Sequence, residues 1–492
     1  MLPVCLWVFL TKTATTLARR LKRRGHDVVS VGFSDAEPLV RAAELPFLPF
    51  CEKEYPAGSN RETLNQLSKL QGQEALEFTH RALADILQAI FDHLPRALRE
   101  TGVDALVIDG VLIELGLVLM HLDIPYVHVS NSLHYDFSGH TPLFAFDWPH
   151  ETTPEAFARN KEGVRSFLKL LERNRLIARR YAERVGLDFD CNDPLAGVSR
   201  LAWLTQTPKE FDFPSSHWPH QFHHTGPFHD GSGRKDPDFP WDRLTGEPLI
   251  YASMGTLQNT LEGVFSTIAQ AVGERAGTQL VLSIGPVFDP QQIKSLPANA
   301  IVVDRAPQIE LLKRSALCIT HAGLNTTLEA LTQGVPLVAI PVTNDQPGVA
   351  ARIAYTKTGA FVPLKDLTVP RLTLLIDWVL RNPEYRENAD RLRQVIADTN
   401  GLEKAVDLLE KAVGLRAASV TESLDAPRTQ YAYDDKRSSR TRNAFFNRLE
   451  KVSRTTFGRQ YARHCYGTDH RRLSGHSPFP RFRWSGPVKM SG

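Results

Sequence analysis

Leu317-Cys318-Ile319-Thr320-His321-Ala322-Gly323-Leu324-Asn325-Thr326-Thr327-Leu328-Glu329-Ala330-Leu331 is the stretch on which the reading of this chain turns. Its first four residues form an apolar run of the kind that makes a buried strand, and from Gly323 to Leu331 the apolar positions recur at helical spacing. His321, Ala322 and Gly323 must then form a tight turn from strand into helix. A helix N-terminus offers unpaired N–H groups and a partial positive charge, which suits a pyrophosphate. Gly323 lets backbone approach the phosphates, and His321, Asn325 and Thr326 offer side-chain donors. Glu329, a turn further on, can accept from the paired hydroxyls of a ribose. One strand–turn–helix of this kind is ordinary packing; its surroundings set this one apart.

Upstream stands Arg305-Ala306-Pro307-Gln308, and downstream come Gly334-Val335-Pro336 and a strand-like run over 337–340. Asp345-Gln346 follow that strand end and can hold sugar hydroxyls. Working outward, a strand–helix series starts at Leu249-Ile250-Tyr251-Ala252-Ser253 and continues through 280–284, 300–303, 317–320 and 337–340. An earlier series has strands over 4–10, 28–33, 105–108 and 126–129. Between them lie Ala14, Leu17, Ala18 and Leu21 at helical spacing, a long amphipathic helix on Leu83, Leu87, Ile90, Leu94 and Leu98, and an apolar helix over 112–122. Such alternation predicts parallel sheets covered by helices on both faces. Residues 186–248 break the rhythm with Pro, Gly, Asp and His, and read as linker. The expectation is an α/β protein of two doubly wound domains, 1–234 with the linker and 235–415, the second closing on a helix that carries Leu402, Ala405, Val406, Leu409 and Val413.

Residues 416–492 have no helical or strand period and hold 16 Lys and Arg against 6 Asp and Glu, a net of +10. The other 415 residues then carry −7 of the overall +3. A tail so poor in aliphatics cannot offset its ordering entropy, so a disordered, solvated extension is expected, without a nucleic-acid partner. Five scattered cysteines with no CxxC spacing fit reduced thiols, not a disulfide framework or a zinc site. The ten apolar residues that open the chain follow no positive charge and read as a buried strand, not a signal peptide or a membrane span. A cytoplasmic protein is expected. Asp188-Phe189-Asp190 and the histidines at 217, 220, 223, 224 and 229 read as solvated linker residues, not metal ligands.

Taken together, residues 305–346 resemble the signature of the UDP-glycosyltransferase superfamily. The resemblance implies the GT-B fold, two Rossmann-like domains facing each other across a cleft. It implies Gln308 near the uracil, His321, Asn325 and Thr326 on the diphosphate, Glu329 on the ribose, and Asp345 with Gln346 on the transferred sugar. Ser253-Met254-Gly255-Thr256 resembles the family's second phosphate loop, which adds Ser253, Gly255 and Thr256. Arg305 and Leu324 stand where the family often has an aromatic residue and a Trp. The UDP-sugar is a co-substrate, and neither a cofactor nor a metal is implied, because fixed donors stabilise the departing UDP.

Family members invert the anomeric centre with a general base. The base is a His in a Gly-His-x-Asn-Pro turn after the first strand, oriented by an Asp at the end of a later one. Asp109, closing Leu106-Val107-Ile108-Asp109, matches the Asp. Phe9-Leu10-Thr11-Lys12-Thr13 occupies the place of the turn and has no imidazole, while the match resumes at Ala14. An exposed Asp109 would titrate near 4, roughly, and be a weak base. His26 lies beyond the first helix as a loop residue; His128, His134 and His140 are the next candidates.

The runs over 250–258 and 345–352 are similar to bacterial carotenoid (zeaxanthin) glucosyltransferases, and macrolide glycosyltransferases share the motif. Tyr135, Phe137, Phe144, Phe146 and Trp148 lie in first-domain loops where the acceptor would bind. The expected activity is inverting transfer of a hexose, glucose, to a hydroxyl of a lipophilic acceptor such as a carotenoid, with peripheral membrane contact if that acceptor is lipid-soluble. One alternative is a diffusible macrolide or phenolic aglycone. Another is a catalytically impaired relative that binds nucleotide sugar.

Overall fold

The structure is a computed structural model and describes residues 3–7, 12–229, 236–255, 262–285 and 289–414. The tail over 416–492, expected to be disordered, lies outside the described residues, as do residues 9–11 and Thr256.

The first sheet has seven strands: β1 (Pro3–Trp7), β2 (Asp27–Gly32), β3 (Phe47–Pro49), β4 (Ala105–Asp109), β5 (Tyr126–Ser130), β6 (Trp203–Thr205) and β7 (Phe222–His224). The second has six: β8 (Leu249–Ser253), β9 (Gln279–Ser283), β10 (Ile301–Val303), β11 (Ser315–Thr320), β12 (Leu337–Ala339) and β13 (Gly359–Phe361). Their orders are β3-β2-β1-β4-β5-β6-β7 and β10-β9-β8-β11-β12-β13, and every pairing is parallel. Each sheet therefore reverses strand order once, between β1 and β4 and between β8 and β11. In doubly wound sheets the crevice at such a reversal, beyond the carboxyl ends of the strands, is where ligands bind. The central strands are buried along their whole length, as with Ala105–Asp109 and Leu249–Ser253. That is why they read as continuous apolar runs and not as alternating ones.

Two expectations change in space. The stretch over 186–248 is not only linker, because β6 and β7 extend the first sheet from within it. Strands three residues long among Pro, Gly and His show no periodicity to read. The second domain, expected to run to 415, gives up its last helix: Gly401–Gly414 packs on the first domain. Leu402, Ala405, Val406 and Leu409 share a core with Leu17, Ala18, Leu21 and Val28. Arg24 reaches Asp407 at 2.6 Å and Glu410 at 2.9 Å, and His26 Nε2 lies 2.9 Å from Glu410. His26 is thus spoken for by this helix.

The two domains touch across the cleft. The Gly72 amide donates to the Val342 carbonyl at 3.1 Å, and the Gly348 amide to the Phe144 carbonyl at 2.9 Å. At Gly348 a Cβ would stand 2.3 Å from that Phe144 oxygen, so the approach depends on glycine. Behind these contacts Arg352 of the second domain holds Asp212 of the first, Nε to Oδ1 at 2.7 Å, both side chains almost fully buried. His134 Nε2 lies 3.0 Å from the other Asp212 oxygen, and the Arg352 guanidinium sits 4.3 Å over the Phe213 ring. Burial works against the Asp212 charge, but Arg352, His134 and His224 outweigh it and hold the carboxyl well below the usual carboxylate range.

Candidate active site

The turn that decides the sequence reading sits at the reversal of the second sheet. Thr320 ends β11 in register with Ser253 of β8, and the helix Leu324–Thr332 starts four residues on. Ala322 takes φ +65, left-handed backbone rarely adopted outside glycine, and this makes the turn tight. Gly323 has an ordinary φ of −63. Its lack of a side chain makes room for the His321 ring, whose Nε2 would lie 2.4 Å from an added Cβ. Gly255 (φ +76) packs on the same ring, with Cε1 at 2.6 Å from an added Cβ. The imidazole is enclosed by two glycines and bonded to Ser253 backbone; burial lowers its pKa to about 4, so it is neutral at pH 7.

Gln308, after β10, takes the Tyr251 hydroxyl on Oε1 at 2.9 Å and donates from Nε2 to Glu329 Oε2 at 2.6 Å. Thr326 Oγ1 is 3.4 Å from the same nitrogen. Of the residues expected on the base, diphosphate and ribose, Gln308, Thr326 and Glu329 thus form one connected group. Asp345 faces the first domain, its Oδ2 accepting from the Leu133 amide at 3.1 Å, and burial raises its pKa. Gln346 turns its Oε1 onto the Val342 and Thr343 amides at 2.8 and 3.1 Å, which leaves the Nε2 end for a ligand.

Asp109 lies at the reversal of the first sheet, at the end of β4, beside β1, where Trp7 pairs with Ile108. It is buried, not exposed. Its Oδ1 accepts from the Val111 amide at 2.9 Å and its Oδ2 from Asn131 Nδ2 at 2.7 Å. Burial outweighs both bonds and pushes its pKa up to about 6. The weak-base expectation for an exposed carboxylate is therefore corrected. Glu114, five residues on, is pushed by burial to about 7, and both carboxylates bear on the Tyr135 hydroxyl, as does Asp345. Sequence reasoning passed over Glu114; its signal was a lone carboxylate in Val111-Leu112-Ile113-Glu114-Leu115.

The substitute histidines are committed elsewhere. His128 is fully buried, accepts from the Ser199 amide at 3.0 Å, and is lowered by burial to about 3. His134 belongs to the Asp212 cluster, and His140 stacks on His217 at 3.7 Å. The loop aromatics are packing: Tyr135, Phe137 and Phe144 gather around Phe167, and Phe146 stacks on Trp148 at 3.9 Å.

A tight strand-to-helix turn with Glu329 buried in its helix, and a buried Asp109 on the other domain, thus lie at the reversals of the two sheets. Residues 178–414 match the family described as UDP-glucoronosyl and UDP-glucosyl transferase. Over that stretch, just under half of the chain, the protein is similar to UDP-glycosyltransferases. It is 27% identical over 403 residues to zeaxanthin glucosyltransferase of Pantoea ananas, covering 81% of this chain and 92% of that one. With the zeaxanthin glucosyltransferase of Pseudescherichia vulneris the identity is 28% over 406 residues, 81% and 94% of the two chains. Among solved structures, the glycotransferase of kitacinnamycin superposes with a TM-score of 0.64 at 21% identity, covering 83% of this chain and 98% of its own. That likeness is one of fold, GT-B. The family match marks the chain as a transferase and supports binding of a nucleotide sugar. No helix among the described residues is long and apolar enough to cross a membrane.

Proposed function

We propose that the chain moves glucose from UDP-glucose to a hydroxyl of a lipophilic acceptor of the carotenoid class, with inversion. The observation that carries the donor half is the connected group Gln308, Glu329 and Thr326 beside the His321 turn. In this reading Gln308 meets the uracil, Glu329 the ribose and the N-terminus of Leu324–Thr332 the diphosphate, with Ser253 and Gly255 behind it. The acceptor half is supported by the match to zeaxanthin glucosyltransferase, whose 403 aligned residues extend well beyond 178–414 into the first domain. The packed aromatics no longer speak for a lipophilic acceptor.

In the transfer the acceptor oxygen attacks the anomeric carbon as the bond from that carbon to the β-phosphate oxygen breaks. The acceptor proton goes to a carboxylate and UDP leaves into the dipole of the helix. Asp109 serves as that base, since a carboxyl near 6 is both ionised at pH 7 and basic enough to take a proton. No metal takes part in this reading.

The test is UDP release from UDP-glucose with a carotenoid diol in detergent micelles, a macrolide and a simple phenol offered separately. Release with the diol supports the proposal. Release only with the macrolide or phenol moves the function to diffusible aglycones. UDP binding without release to any acceptor makes the chain an impaired binder.

A further inference from the structure

Asn131 follows β5 and Gln206 follows β6, so both stand at the carboxyl edge of the first sheet, next in line after Asp109 on β4. Gln206 has no solvent exposure, and Asn131 has 7%. Gln206 Nε2 donates to the Asn131 carbonyl at 2.5 Å and to Asn325 Oδ1, in the first turn of Leu324–Thr332, at 2.9 Å. A backbone carbonyl only accepts, so the nitrogen must face it, and the amide orientation is fixed. The Asn131 amide is fixed in the same way by giving its nitrogen to Asp109. What remains is one acceptor on each side chain: Gln206 Oε1 and Asn131 Oδ1 are buried and take no hydrogen bond from the described residues.

Two buried acceptors without donors are costly to keep unless a ligand supplies the donors. Their position says which part of the ligand does so. Asn131 touches the base Asp109, and Gln206 touches Asn325 at the phosphate turn. The transferred sugar must lie between base and diphosphate. We infer that Gln206 Oε1 and Asn131 Oδ1 accept from hydroxyls of the transferred hexose, making this pair a sugar-selecting site that favours a fully hydroxylated hexose over a deoxy sugar. The inference rests on the donor site proposed above. A sugar that lacks the matching hydroxyl leaves a buried acceptor unpaired, whereas a fully hydroxylated one satisfies it.

Calorimetric titration of the full chain with UDP, UDP-glucose and the 2-, 3-, 4- and 6-deoxy analogues of UDP-glucose tests this without requiring turnover. At least one deoxy analogue is expected to bind about 10- to 100-fold more weakly than UDP-glucose, the effect of one unsatisfied buried acceptor. Gln206→Met, which has no acceptor oxygen, should bring one such ratio to within about threefold, whatever the loss of the bond to Asn325 does to the affinity for UDP itself. A merely structural role for Gln206 would weaken every ligand alike and leave the ratios unchanged, which overturns the inference. Equal binding of UDP-glucose and all four analogues by the unmodified chain overturns it as well, even if the variant does not fold. Failure of UDP to bind at all overturns the donor site and the inference with it.

Discussion

Replacing Arg352 by Met should weaken the contact between the domains more than any exposed change. Asp212 would keep its charge in a site where its side chain is 2% exposed, and Arg352, at 4%, supplies the 2.7 Å partner. The same guanidinium donates from NH1 to the Gly348 carbonyl at 3.1 Å, at the point where Gly348 meets Phe144. Removing one member of a buried pair leaves an uncompensated charge and costs about 3–5 kcal/mol. Met keeps most of the volume, so the loss is chiefly electrostatic. Asp212→Asn in the same background removes the stranded charge, and the double variant should recover at least about 2 kcal/mol against the sum of the single changes. Asp212 is held below its ordinary value, so its contribution is complete above a pH of about 4 and is lost only as pH falls below that. Denaturant unfolding followed by tryptophan fluorescence measures both quantities. A single-variant cost under about 1 kcal/mol, or strict additivity in the double variant, would refute the reasoning.

The remaining predictions concern the site. Glu329→Ala removes the acceptor of Gln308 Nε2 and should weaken UDP binding by about 1–3 kcal/mol in calorimetry; equal binding would remove Glu329 from the site. His321 is neutral when free, and the diphosphate should raise its pKa, so UDP-glucose binding should take up a proton and tighten as pH falls from 8 towards 5. Binding heats that do not vary with buffer ionisation enthalpy would contradict this. Asp109→Asn should lower transfer by about 100- to 10,000-fold. Unmodified turnover should rise with pH through about 6 and level off, because the ionised carboxylate is the active form; a flat profile places the base elsewhere. Rebuilding 9–13 as Gly-His-x-Asn-Pro, by Phe9→Gly, Leu10→His, Lys12→Asn and Thr13→Pro, should raise turnover strongly and leave UDP affinity nearly unchanged. Unmodified turnover already in the ordinary enzyme range, about 1–1,000 per second, would show that Asp109 needs no imidazole beside it.

The sequence by itself determined the parts of this protein that are local. Central strands such as Leu249–Ser253 are buried on both faces and therefore appear as uninterrupted apolar runs, and the helices between them carry their own 3.6-residue stripe. The strand-to-helix turn was legible for the same reason, since strand, turn and helix are contiguous from Leu317 to Glu329. Only the tertiary structure decided what depends on residues distant in the chain. It showed that Gly323 makes room for a ring, that Gln346 is half occupied by its own loop, and that Asp109 is buried beside Asn131, which raises its pKa. It placed two strands in the presumed linker, carried the last helix back to the first domain, and joined Asp212 to Arg352 across 140 positions. Burial and pairing are properties of the assembled cleft. A charge or an amide has no environment, and hence no pKa shift or unpaired acceptor, until both domains are in place.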